Sequence, residues 1–157
     1  MNQKQQKDSI TNFNNSLLLP RNEEAEQAAI GAMLLEKEAV YEVIDFLKPE
    51  MFYDPYLQDV YQAILNVTLK TDSVDAITVV EELKAMKKEV DPYKLTTLID
   101  NISSAGHIQI HAMVVQQEYI RRMFVLKCTE GLIKSADGSI DVVDLVDEHI
   151  YSVENLT

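Results

Sequence analysis

In "HIQIH" the two histidines His107 and His111 fall four residues apart, on one face of a helix, a spacing that can hold a divalent metal. The glutamate of H-E-x-x-H is missing and no third ligand is close in sequence. Polar residues at a helix start are therefore the simpler reading, and a small helical metalloenzyme using His107, His111 and a nearby acid stays as an alternative. Glu23 and Glu26 match half of a di-iron carboxylate site, but no E-x-x-H partner exists in the chain. Both are expected as surface acids where a helix dipole favours negative charge. Cys128 has Lys127 beside it and no neighbouring histidine, which points to a buried thiol rather than a nucleophile. Arg121 and Arg122 have the chemistry to bind phosphate or a partner's carboxylate, with a solvated or intersubunit salt bridge as the plainer reading. The four glycines, at 31, 106, 131 and 138, are too far apart for a G-x-x-x-x-G-K-[ST] loop, so no ATP hydrolysis is expected of these residues. No catalytic, cofactor-binding or metal-binding residue is assigned.

The balance of charge turns attention from chemistry to assembly. Twenty-six acids against fourteen bases give a net charge of -12, and the bases are scattered. A protein that grips phosphates needs a basic face to displace condensed counterions, so direct nucleic-acid binding is not expected. The longest nearly unbroken apolar run, "AAIGAMLL", is far short of the ~18 residues of a membrane span. The polar opening has no apolar core of a secretory signal, and the single cysteine cannot form an intrachain disulfide; both suit a cytoplasmic address.

The elements that must position any site are helical. Across 157 residues, 46% apolar, only four glycines and four prolines occur, too few for an all-β chain of tight turns. Residues 1–17 are rich in Asn and Gln and are expected as a disordered tail. Asn22 caps a first helix to about Leu35, with Glu23, Glu24 and Glu26 in its first turn. A second helix is expected over 39–47, ended by Pro49. Asp54 and Pro55 open a third, to about Lys70, with Leu57, Val60, Tyr61, Ile64 and Thr68 on one face. Asp75 caps a fourth with Ile77, Val80, Leu83 and Lys84 in line, expected as a helix although the β-branched "AITVV" would also suit a strand, and Pro92 starts a fifth through Leu95, Leu98 and Ile99. These form a globular head, residues 18–104.

Residues 105–157 are expected as an antiparallel helical hairpin. One long helix runs from His107 to Lys134, with an apolar line through Ile108, Ala112, Val115, Tyr119, Met123 and Leu126 and a second through Ile110, Met113, Ile120 and Phe124. "SADGS" turns the chain into a last helix carrying Val142, Val143, Leu145, Val146, Ile150 and Val153 opposite a run of acids. No glycine or proline closes that helix before Thr157, which suggests a piece of a longer protein. A hairpin with two apolar sides leaves one wet when packed only against its own chain, so self-association is expected there. Gly31 lies on the apolar side of the first helix among Ala25, Ala28, Ala29 and Ala32. It costs roughly 0.5 to 1 kcal/mol against alanine in a helix; close approach of another backbone is the expected compensation.

The residues also carry a family resemblance. "LPRNEEAEQAAIGAMLLEKEAVYEVIDFLKPEMFYDPYLQDVYQAI", then "VDAITVVEELK" and "ISSAGHIQIHAMVVQQEYIRRMF", resembles in order and spacing the N-terminal domain of bacterial replicative DNA helicases of the DnaB type, over about residues 18–155. Ser103, Gly106, His107 and His111 depart from the family pattern, and Met86–Asp91 is shorter than its glycine-rich loop. The resemblance implies an all-α head of five or six helices with a protruding hairpin. Hairpins would pair subunits, and the pairs would form a trimer of dimers above a hexameric ring. It implies docking of the C-terminal helicase-binding domain of primase, with a helicase loader as a further partner. ATP and magnesium would belong to a motor domain outside this chain.

For self-association the expected residues are Ile110, Met113, Ile120, Phe124, Val146 and Ile150. For primase the resemblance points to Glu24, Tyr93, Lys94, Arg122 and Val125. The primase's own helicase-binding domain resembles the same fold and is the other alternative, against which E-A-E-Q near the start argues.

Overall fold

In the computed structural model, residues 8, 11, 18–71 and 73–156 are described, so the expected tail over residues 1–17 lies, apart from residues 8 and 11, outside them. Among the described residues the elements are seven α-helices and one 3-10 turn, with no strand. They are α1 (Glu23–Leu35), α2 (Glu38–Val43), the turn Pro49–Met51, α3 (Pro55–Lys70), α4 (Ala76–Ala85), α5 (Pro92–Asp100), α6 (Ile108–Ser135) and α7 (Val142–Glu154).

The helix starts follow from local chemistry. Asn22 accepts from the Ala25 N–H, Asp54 from Tyr56, and Asp91 from Lys94. Asp75 takes the Ile77 and Thr78 N–H groups while Thr78 accepts the Asp75 N–H, a capping box. Each of these caps satisfies donors that the first helical turn leaves orphaned. After α4, Lys87 lies in the left-handed region at φ 56°. The Lys88 N–H reaches back to the Leu83 carbonyl, closing the helix. Lys87→Gly should raise stability by about 0.5 to 1 kcal/mol, read as a higher urea midpoint at constant slope. An unchanged or lower midpoint would mean that the strain is not there.

Contacts divide the chain into two units: Arg21–Tyr119, and Ile120–Thr157 with the described part of Met1–Pro20. The boundary falls inside α6 rather than at the expected 104/105, because Ile108, Ala112 and Val115 belong to the core of the first unit. That core is built from Ala29, Ile30 and Met33 of α1, Val40 and Val43 of α2, Leu57, Val60, Tyr61 and Ile64 of α3, Val79 and Leu83 of α4, and Leu95 and Leu98 of α5. The Tyr61 hydroxyl is pushed up to about 12 by burial and donates to the Leu47 carbonyl at 3.3 Å. Tyr56 is likewise raised to about 12, chiefly by burial, and donates to the Asp91 carbonyl.

Several expectations change. Helix α2 stops at Val43, short of residue 47; the chain then turns, Leu47 enters the core, and its carbonyl is taken by Tyr61. Pro49 opens a 3-10 turn rather than simply ending a helix. On α3, Thr68 is only half-buried, and its hydroxyl donates to the Ile64 carbonyl. On α4 the buried face is Val79, Glu82 and Leu83, while Ile77 and Lys84 are exposed. The reason is Glu82: its carboxylate accepts from Lys70 Nζ at 2.6 Å and Asn66 Nδ2 at 2.9 Å, which satisfies a charge that would otherwise be costly to cover. The Lys70 contact, with that of Asn66, holds the Glu82 carboxyl below the usual carboxylate range.

Glu26 is not a surface acid. It is 1% exposed, and its carboxylate accepts from the Tyr53 N–H at 2.8 Å and the Asp54 N–H at 3.1 Å. It ties the corner before α3 to α1. Glu23 and Glu24 are exposed, as expected. Gly31 marks a close approach: a Cβ there would overlap the Leu98 carbonyl oxygen and stand 2.7 Å from Ile102 Cγ1.

Candidate protein–protein interface

The unit containing the second part of α6 and α7 is built as a hairpin. Ser139 donates its N–H and hydroxyl to Asp137, holding that carboxyl below its ordinary value and shaping the turn. Asp141 then caps α7 by accepting from Val143 and Asp144. The helices meet at Gly131, where an added Cβ would be 2.8 Å from His149 Nδ1. Beside that seam Lys134 pairs with Glu148 at 2.8 Å and Glu130 at 2.9 Å, and the two carboxylates raise its ammonium above the usual lysine value. Exposed pairs of this kind contribute little, about 0 to 1 kcal/mol, so registry here depends on the glycine contact. Helix α7 ends at Glu154, with Asn155 donating its side-chain amide to the Tyr151 carbonyl.

What the seam leaves uncovered is apolar. No residue of α7 is buried; Leu145, His149, Ser152 and Val153 are half-covered, while Val142, Val143, Val146, Ile150 and Tyr151 are exposed. An open groove of about 400 Å³ is lined by Cys128, Leu132, Leu145, Val146 and Ile150, among others. Cys128, expected as a buried thiol, is exposed on this groove. Such a surface is of the kind that marks an interaction site in a soluble domain.

Of the expected self-association residues, Phe124, Val146 and Ile150 are each 49% exposed and Ile120 is half-buried in this unit. Ile110 and Met113 are exposed on the Arg21–Tyr119 unit. Leu132 and Tyr151, outside that set, are exposed as well; Leu132 falls two helical turns after Phe124, a spacing readable in the sequence.

The expected primase residues divide. Glu24 is exposed on the first turn of α1 and Tyr93 is 83% exposed at the start of α5. Lys94 is half-buried, with Nζ 3.2 Å from Asp54 Oδ2 and 4.1 Å from the centre of the Tyr56 ring. Arg122 is only 6% exposed, and Nη1 donates to the Pro20 carbonyl at 3.0 Å. Burial with a backbone acceptor makes Arg122 a brace for the incoming chain. Val125 is half-buried. His107 is exposed, His111 is half-buried, and no group of three His, Cys, Asp or Glu among the described residues could hold a metal. No helix of the described residues is long and apolar enough to cross a membrane.

Comparison with known proteins bears on this surface. Residues 18–117 match the family model "DnaB-like helicase N terminal domain". The chain is 34% identical over 133 residues to the replicative DNA helicase DnaB of Rhodothermus marinus, covering 82% of this chain and 14% of that protein. It is 33% identical to the Mycobacterium leprae DnaB over 85% of this chain and 24% of that protein. The chain thus spans less than a third of the length of these relatives. Among solved structures, the N-terminal domain of DnaB helicase from Mycobacterium tuberculosis superposes with a TM-score of 0.79 at 31% identity, covering 87% of this chain and 99% of that one. A DnaB-like replicative helicase, solved with its interactions with primase, shares the fold at a TM-score of 0.70 and 21% identity, over 87% of this chain and 32% of that one. An all-helical chain without a phosphate loop, matched over most of its length in sequence and in structure, belongs to the family of DnaB-like helicase N-terminal domains.

Proposed function

We propose that this chain is the non-catalytic collar domain of a replicative DNA helicase, pairing with copies of itself through the hairpin and receiving the C-terminal domain of primase. The observation that carries this reading is the uncovered apolar face of α6 and α7, with Val146 and Ile150 half-exposed on an open groove and Phe124 half-exposed on α6. Covering it with a second copy would remove from water the largest side chains the hairpin leaves wet. In the full protein these pairs would assemble as a trimer of dimers above a hexameric motor, which would bind ATP and magnesium and unwind duplex DNA. The net charge of -12 favours protein over nucleic acid as the direct partner. Glu24 and Tyr93, both exposed, are the residues best placed to meet primase, and a helicase loader would compete for or extend the same surface. The match to the helicase N-terminal family favours this reading over a primase helicase-binding domain.

Mass measurement in solution tests the pairing. The chain should form dimers or larger species at micromolar concentration, and Phe124→Asp should weaken association by about 100-fold or more, because a carboxylate would be desolvated in an apolar contact. Helix content should be unchanged. A chain that stays monomeric at every concentration would rule the pairing out, and a cognate primase C-terminal domain that fails to bind the dimer would rule out the docking.

A further inference from the structure

Within the Arg21–Tyr119 unit, a cavity of about 420 Å³ opens between α1, the end of α5 and the first turn of α6. It adjoins the close approach at Gly31, sharing Leu98 and Ile102 with it. At that residue α1 and α5 are in backbone contact, with Leu98 and Ile102 pressed on the glycine. One and two turns earlier on α1 stand Ala28, Gln27 and Glu24, and there the seam widens into the cavity. Its apolar lining is Ala28 and Leu98, both buried, with half-buried Ile102; its polar lining, called the rim below, is Glu24, Gln27 and Asn101, all exposed, with half-buried His111.

Among the described residues, none of these four side chains has a hydrogen-bond or ion-pair partner. The neighbouring acids are engaged. Glu23 pairs with Arg21 at 2.9 Å, and Glu26 is consumed by the Tyr53 and Asp54 N–H groups. Glu24 is therefore the one acid of the first turn of α1 left without a counterpart, and it lines a cavity of mixed polar and apolar character, of the size that ligand pockets take.

We propose that this cavity is the anchor site for one arginine side chain of a partner protein. An arginine has an apolar stem to lie along Leu98 and Ile102, and a planar guanidinium that a single carboxylate accepts through two parallel hydrogen bonds. The Gln27 and Asn101 amide oxygens supply further acceptors, and the flat face of the guanidinium suits stacking on the His111 ring. Lysine, a compact and strongly hydrated point charge, would use the carboxylate but neither the plane nor the fork. The net charge of -12 draws a cationic segment toward this surface before contact. Glu24 also belongs to the set expected to meet primase, so the claim that the arginine comes from a protein rests on the collar reading; the preference of the cavity for a guanidinium does not.

The test uses the whole chain and the probe N-acetyl-arginine methylamide, with its neutral citrulline counterpart as control, followed by amide and side-chain shifts in nuclear magnetic resonance. The arginine probe should bind saturably with a dissociation constant on the order of 1 mM, a fair affinity for so small a ligand. Its shifts should centre on Glu24, Gln27, Asn101 and His111. Glu24→Gln should weaken binding about tenfold, Glu23→Gln should leave it unchanged, and the citrulline probe should not saturate. Equal binding of the citrulline probe, indifference to Glu24→Gln, or shifts spread over the acidic surface would overturn the proposal. Binding of a primase C-terminal domain, measured in the same buffer, separates the two readings. A chain that holds primase but not the arginine probe overturns the anchor site alone, and one that holds the probe but not primase overturns the docking alone.

Discussion

Replacing Gly31 by alanine should lower the free energy of unfolding by about 2 to 3 kcal/mol, although alanine is the better helix former. Two effects oppose each other. In an unconstrained helix the change would be worth roughly 0.5 to 1 kcal/mol in favour of alanine. Here the new methyl would overlap the Leu98 carbonyl oxygen and press on Ile102 Cγ1 at 2.7 Å. A carbonyl in the backbone of α5 cannot rotate aside as a side-chain end can, so the helix must move as a body, and Leu95 and Leu98 move with it out of a closed core. Overpacking therefore wins. Urea unfolding at constant slope measures it, and a variant as stable as the parent would show that α1 and α5 are not in this contact in solution.

Glu26→Ala should cost about 2 to 4 kcal/mol, from a different cause. The carboxylate accepts two backbone N–H groups, from Tyr53 and Asp54, in a place where the side chain is 1% exposed. Removing it leaves two donors without acceptors, and each hydrogen bond to a charged group is worth about 1.5 to 3 kcal/mol. Water entering the space left by the side chain would soften the loss. Glu26→Gln keeps one acceptor oxygen and turns an amide toward the other donor, so it should lie between alanine and the parent. If Glu26→Ala unfolds within about 0.5 kcal/mol of the parent, the corner before α3 is held by something else.

These two residues show what can and cannot be read from a sequence. Gly31 was legible because its meaning is local: an apolar helix face crowded with alanines allows a close neighbour, although which backbone would come close was not readable. The caps Asn22, Asp54, Asp75 and Asp91 were legible for the same reason, since the donors they satisfy lie two or three residues away. Glu26 was misread because its partners lie 27 and 28 residues later in the chain, and a glutamate in a first turn has an adequate local explanation. The α4 face was misread likewise: Glu82 is covered only because Asn66 and Lys70 of α3 meet it there. Arg122 is the longest case, its acceptor being 102 residues away. At the interface, the apolar character of α7 was plain, but the inner seam was not. The meeting of Gly131 with His149 depends on how far the turn at 135–139 carries the chain, and helical periodicity alone does not determine that.

Helix α7 has thirteen residues and none of them is buried. A segment of that length is marginal in water without tertiary cover. Its amides should therefore exchange with solvent far sooner than those of α3, through local openings that leave the rest of the fold intact, and they should slow as the solution is concentrated.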